Sequence, residues 1–303
     1  MTDSPAPPQP DRHYVLGGKR FLARPLDPGL HVVATPIGNL RDMTIRAVET
    51  MAAASVVACE DTRVTRRLVD HFVLSTKLVP YHEHNAAEMR PKLLARLAAG
   101  ESVALVSDAG TPLVSDPGFK LVEVAREAGH PVFPVPGPSA VMAALVAAGL
   151  PTDAFFFAGF LPSKTVGRRG RARDLVAVPG SLVFFETGPR LAASLGDLAA
   201  ELGDREAAVC RELTKAHEEV RRGSLGDLAA HYAAASEPKG EIVLVVAPPG
   251  EAPPPEADDV DAMLRTALAG GSVKDAATAV ATATGLPRRD VYQRALVLAK
   301  VAG

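Results

Sequence analysis

The densest set of residues able to do chemistry is SDAGTPLVSDPG, Ser107 to Gly118, directly behind the apolar run SVALV. Gly110 and Gly118 let a ligand approach the backbone closely, while Pro112 and Pro117 stiffen the turns around them. Asp108 accepts hydrogen bonds and Thr111 both accepts and donates them, so the loop can hold a small polar molecule. Two ordinary consecutive turns would use the same residues. A second loop, PVPGPSA from Pro134 to Ala140, leads into the apolar helix pattern SAVMAALVAAG. Ser139 suits a helix N-cap there, and Gly137 between two prolines fixes a turn. Ligands of open α/β sheets collect at the carboxyl ends of strands, so two rigid loops at equivalent strand ends point to one pocket.

Two further loops follow strand-like runs nearer the N-terminus, ATPIGNLRDMT and ACEDTRVTRRL. Gly38 with Asn39 signals a turn. Glu60, Asp61 and Arg63 form a polar cluster that serves either as a helix-start cap or as the rim of a site. The sequence has no GxGxxG after its first strand and no GxxxxGK[ST], which disfavours a standard dinucleotide fold or a phosphate-binding P-loop. No metal site is expected. His82 and His84 in YHEHN are the one close pair among eight histidines, and nothing nearby completes a ligand set. Cys59 and Cys210 lie far apart in apolar runs and read as buried free thiols of a reducing compartment.

These loops need elements to position them. The 303 residues are 47% hydrophobic with a net charge of -2, enough for two cores and too neutral for nucleic-acid binding by overall field. Short β-rich runs beginning at Leu30, Ser55, Lys77, Ser102 and Pro131 alternate with helical patterns, which predicts an α/β domain with a mainly parallel sheet over 30–136. A second series, from Ala154, Ser181, Arg205, Glu218 and Glu241, predicts another α/β domain over 137–247. Residues 1–29 read as a disordered Pro-rich tail and 248–260 as a Pro- and acid-rich linker. Residues 261–303 read as a small helical module, either helix-turn-helix-like or a packing pair of helices. The longest apolar run, near Val141 to Leu150, is about half of what a bilayer requires, and no apolar signal-peptide core opens the chain. A soluble, cytoplasmic protein is expected.

One local charge departs from the near-neutral whole. Lys164, Arg168, Arg169, Arg171 and Arg173 follow an aromatic strand with no acid among them. Such a run is either a solvated helix face or a phosphate-binding patch.

Taken in order, ATPIGNLRDMT, ACEDTR, SDAGTPLVSDPG, PGPSA, FFFAGFLPSK, FFETGPR, RELTK and KGEIVLVV resemble the tetrapyrrole methylase superfamily, and more narrowly its ribosomal RNA small subunit methyltransferase I branch. The resembling segments span about residues 30–246, and the C-terminal helical module fits the same branch. The resemblance implies a homodimer that binds S-adenosylmethionine between two α/β domains and 2'-O-methylates a cytidine ribose in the decoding region of 16S ribosomal RNA, on the small ribosomal subunit. Carried over by position, the cofactor would meet Pro36, Asp108, Gly110, Thr111, Ser139, Ala140, Leu213 and Gly240. Where the family often reads ESPHR or EAPHR, this chain has Glu186, Thr187, Gly188, Pro189 and Arg190, which argues against an essential proton-transfer histidine there. A ribose hydroxyl is a poor nucleophile until its proton is weakened, so a carboxylate base would help, with Asp61 the first choice and Glu186 the second. Arg63 joins the basic stretch as an expected RNA contact. Two other readings remain open: a methylase of a tetrapyrrole or in the diphthamide pathway, and a noncatalytic ribosome-assembly protein on this fold.

Overall fold

The computed structural model describes residues 12–113, 118–250 and 257–301. Residues 1–11 of the expected tail, Pro117 of the glycine-rich loop and residues 251–256 of the expected linker lie outside the described residues. The chain divides into two compact units, Met1–Pro248 and Pro249–Gly303.

In the first unit the elements run β1 (His13–Leu16), β2 (Lys19–Leu22), β3 (Gly29–Val33), α1 (Ile45–Ala53), β4 (Val56–Cys59), α2 (Thr62–His71), β5 (Leu78–Pro80), α3 (Ala86–Ala98), β6 (Ser102–Val106), α4 (Phe119–Glu127), β7 (Val132–Val135), α5 (Ala140–Ala148), β8 (Phe155–Phe160), α6 (Thr165–Asp174), β9 (Ser181–Thr187), α7 (Gly188–Leu202), β10 (Glu206–Arg211), β11 (Glu219–Ser224), α8 (Leu225–Ala234) and β12 (Glu241–Val246). A 3-10 turn, Leu40–Asp42, lies between β3 and α1.

The first sheet has the order β5-β4-β6-β3-β7 and is parallel at every pairing. Its central strands are near-continuous apolar runs because helices cover both faces, as crossover connections require. The second sheet has the order β11-β10-β12-β9-β8; β8 and β9 are parallel and the other pairs antiparallel. The fold is therefore α/β with a parallel first sheet and a mixed second one, as the strand runs predict. Helix α5 leaves the last strand of the first sheet and packs Val141, Ala144, Leu145 and Ala148 against Val183, Cys210 and Val243 of the second. The helix joins the two sheets into one compact unit, so residue 136 separates sheets rather than independent bodies.

The N-terminal segment corrects one expectation. Residues 13–22, read as tail, form a hairpin around Gly17 and Gly18, with φ of +55° and +77°. Tyr14 is buried in the core over α1, and the Arg12 guanidinium donates to the Ala53 carbonyl. A Gly-Gly pair is a hairpin signal, hidden here by the charges of Lys19 and Arg20 on an exposed strand.

The second unit holds α9 (Ala257–Leu268), α10 (Val273–Thr284) and α11 (Arg288–Val301) around Val260, Leu264, Ala277, Val280, Val291 and Ala295. Ser272 caps α10 by accepting from the Asp275 N–H at 3.2 Å, and Gly285 ends it at a φ of +70°. Among the described residues, no helix is long and apolar enough to cross a membrane.

Candidate active site

Strands β4, β6, β3 and β7 are neighbours, so the loops at their carboxyl ends emerge side by side. Hydrogen bonds join them into one rim. Thr35 after β3 and Gly110 after β6 exchange backbone bonds at 2.9 and 3.0 Å, and the Thr35 hydroxyl donates to the Ser107 carbonyl at 3.1 Å. The Thr111 hydroxyl donates to the Pro138 carbonyl after β7 at 3.1 Å. On the other side, Asp108 accepts from the backbone N–H of Asp61 after β4 at 2.9 Å. Gly110 sits at a φ of +78°, where a side chain would be strained and its Cβ would lie 3.3 Å from Ile37. The glycine keeps the backbone close to the space above it.

That space is a cavity of about 280 Å³ between the rim and the second sheet. Gly110, Thr111, Ser139 and Ala140 supply one wall; Phe160, Phe185, Glu186, Gly240 and Ile242 supply the other. Ser139 caps α5, as expected, and the same residue faces the cavity. Of the eight residues expected at a cofactor, Gly110, Thr111, Ser139, Ala140 and Gly240 line this cavity. The other three do not: Pro36 and Leu213 are buried, and Asp108 ties β6 to β4. The apolar wall of Phe160, Phe185 and Ile242 was illegible in sequence, because strand residues facing a cavity have the same composition as strand residues facing a core.

The carboxylates expected as bases are both engaged. Asp61 caps α2, accepting from the Arg63 N–H at 2.8 Å, and its oxygens meet the Arg63 guanidinium at 2.6 to 3.1 Å. These bonds hold the Asp61 carboxyl down at about 2. Glu186 is buried in the cavity wall, where it accepts from the Ser194 hydroxyl at 2.6 Å and the Thr187 N–H at 2.9 Å, with Arg190 Nε at 3.2 Å. Gly188 follows because the Pro238 carbonyl packs against it: a Cβ there would fall 1.8 Å from that oxygen.

A rim residue that sequence reasoning missed is Lys215. Its ammonium bridges Glu212 and Glu241, each at 2.7 Å, beneath Gly240. Burial alone would lower its pKa, but the two carboxylates outweigh it and hold it up. In the sequence the run RELTK stands only among the resembling segments, with no role marked for its lysine.

The basic stretch is placed differently from its expectation. Arg168 is 4% exposed and turns inward, with Nε 2.6 Å from Asp197 of α7 and further bonds to Ser163 and Thr165. Arg169 and Arg173 both pair with Glu201, and Arg171 lies over the Phe156 ring. Only Lys164 of the five is exposed with no ion pair among the described residues. Arg168 as an RNA contact is thereby corrected. The acids that neutralise α6 lie on α7, about thirty residues on, where a local reading of charge does not look.

A parallel sheet whose strand-end loops are joined into one rim, facing a mixed sheet across an apolar cavity, is the scaffold of an α/β enzyme that holds its ligand between two sheets. Residues 29–229 match the family model for Tetrapyrrole (Corrin/Porphyrin) Methylases, and residues 254–299 match the model for the RsmI C-terminal HTH domain. The chain belongs to the tetrapyrrole methylase family. It is 53% identical over 290 residues to the "Ribosomal RNA small subunit methyltransferase I" of Mesorhizobium japonicum, covering 95% of this chain and 98% of that one. The protein of the same name from Erythrobacter litoralis is also 53% identical, over 91% of this chain and 97% of that one. Among solved structures, the cobalt precorrin-4 methyltransferase CbiF superposes with a TM-score of 0.56 at 18% identity, covering 72% of this chain and 94% of that one. A uroporphyrin-III C-methyl transferase from Thermus thermophilus, complexed with S-adenyl homocysteine, gives 0.52 at 19% identity, over 72% and 96%.

Proposed function

We propose that this chain is a cytoplasmic S-adenosylmethionine-dependent methyltransferase that 2'-O-methylates a cytidine ribose in the decoding region of 16S ribosomal RNA on the small ribosomal subunit. The observation that carries the reading is the cavity where Gly110, Thr111, Ser139 and Ala140 meet the second sheet, in a chain matched over nearly its whole length by relatives bearing that name.

The residues present fit the donor. S-adenosylmethionine supplies a methyl group already activated on a positively charged sulfur. Gly110 opens the rim to close approach, and Phe160, Phe185 and Ile242 offer an apolar and aromatic wall that excludes water. Glu186 and Glu241 bring carboxylate oxygens to the cavity, each already beside a cation of the chain, Arg190 and Lys215. Ser194, the Thr187 N–H and Arg190 hold Glu186 in one orientation, so the field it sets is fixed before any ligand arrives. Alignment of the attacking oxygen with the methyl group then supplies a large share of the rate.

The RNA backbone is held by exposed cations rather than by the α6 face. Arg41, in the turn after β3, and Arg66 and Arg67, on helix α2, are exposed and make no ion pair among the described residues. Arg63 and Lys164 flank them in this reading. The protein acts as a homodimer, a reading supported by Phe155 and Phe156, which are exposed on the edge strand β8.

The test is transfer from labelled S-adenosylmethionine to small ribosomal subunits, naked 16S RNA and a tetrapyrrole precursor, with mass spectrometry of any methylated nucleotide. Label on a cytidine ribose of the subunit is expected. Label on the tetrapyrrole alone supports the rival methylase, and RNA binding without transfer supports a noncatalytic assembly protein.

A further inference from the structure

The loop Glu212–Glu218 is held in a conformation its residues disfavour. Glu212 and Thr214 have φ of +49° and +68°, in the left-handed region that β-branched residues rarely enter. Each such residue costs about 1–3 kcal/mol and persists only when its surroundings over-determine it. Here they do. Glu212 accepts from the Lys215 ammonium and from the Glu241 N–H, its own N–H donates to the Glu241 carbonyl, and the Thr214 N–H donates to Glu218 at 2.6 Å. Lys215 lies against Gly38, where a Cβ would fall 2.5 Å from its side chain. The outcome of this arrangement is the placement of Thr214. Its hydroxyl oxygen is buried and has no hydrogen-bond partner among the described residues.

Thr214 lines a second, more open pocket of about 370 Å³ with Ile37, Asp42, Thr44, Gly137 and Ser139. Ile37 and Ser139 also line the first cavity, so the two pockets adjoin across a shared wall. The lining of the second is rich in groups that bond hydroxyls. Thr44 and Ser139 accept from backbone N–H groups as helix caps and keep their own O–H to donate. The Asp42 side chain is exposed and makes no hydrogen bond or ion pair among the described residues. No Lys or Arg lines this pocket, and a free carboxylate in it repels phosphate while accepting from sugar hydroxyls.

We propose that this second pocket receives the ribose of the acceptor nucleotide, with Thr214 and Asp42 bonding its hydroxyls beside the methyl donor's cavity. The proposal rests on the reading of the chain as an RNA ribose methyltransferase. It gives the strained loop a purpose, because relaxing Thr214 out of the left-handed region would move the residue from its place in the pocket lining. It also separates two kinds of RNA contact: cations such as Arg41 hold phosphates outside the pocket, and uncharged hydroxyls with one carboxylate hold the sugar inside.

The experiment compares Thr214→Val, Thr214→Ser and Asp42→Asn with the unaltered protein. Valine keeps the shape and branching of threonine and removes the hydroxyl; serine returns it. Transfer to small ribosomal subunits is measured under steady-state and single-turnover conditions, donor affinity by calorimetry and folding by thermal melts. Thr214→Val and Asp42→Asn are expected to lower kcat/KM for the RNA by about five- to tenfold each, the scale of one lost hydrogen bond. Donor Kd should change less than twofold, and Thr214→Ser should recover most of the loss. Unchanged kcat/KM in both variants of a well-folded protein would overturn the proposal. A loss of donor affinity in parallel with kcat/KM would also overturn it, by assigning the pocket to the donor. If the unaltered protein binds donor but methylates no RNA, the underlying reading fails and the proposal falls with it.

Discussion

Asp61 is bonded to the Arg63 guanidinium and the Arg63 N–H, and its carboxyl is held at about 2 against an ordinary 3.8. So low a value makes it a weak acceptor of a ribose proton, and the same contacts make it a good cap for α2. Because the folded-state value is depressed, the bond stabilises the fold above about pH 4, and that contribution is lost as pH falls toward 2. The Asp61→Asn variant should melt lower than the unaltered protein by a constant margin above pH 4, with the margin closing between pH 4 and 2. Its single-turnover rate should stay within about twofold, whereas a loss on the order of a hundredfold with intact folding would return the base role to Asp61. The sequence showed the EDTR cluster with both readings open. What it lacked was the bidentate contact, which exists only once the chain turns into α2.

At the scale of elements, strand positions were readable because burial on both faces forces continuous apolar runs, and these begin within one residue of the starts of β3, β4, β6, β9 and β12. Helix α6 was readable as a helix but not as a partner. Its arginines meet Asp197 and Glu201 because α7 packs alongside, a fact of tertiary structure that local charge does not encode. Arg168 and Asp197 are both largely shielded from water, so removing one partner leaves the other buried and unpaired. Arg168→Gln should cost about 3–5 kcal/mol of stability in a denaturant melt. Arg171→Gln, which loses only a cation contact to Phe156, should cost about 1 kcal/mol or less. Equal costs for the two, with a matching loss of RNA affinity, would make α6 a binding face after all.

For the whole molecule, the site arises where the carboxyl ends of the parallel strands meet the second sheet, and half of it was legible. The rim was, since Gly110, Thr111 and Ser139 stand in loops whose glycines and prolines announce rigid turns, and Ala140 opens the helix that follows. The opposite wall was not, because Phe185 and Ile242 become cavity residues only through the way α5 joins the two sheets. The most direct measurement of the central claim is calorimetric titration of S-adenosylmethionine into the unaltered protein and into Ala140→Phe. Position 140 is helical, so the larger ring fills the cavity without straining the backbone. Binding of one donor per chain to the unaltered protein is expected, with affinity falling at least tenfold in Ala140→Phe while its melting profile stays cooperative. Equal affinity in the two folded proteins would contradict the account, because the donor would then bind somewhere other than this cavity.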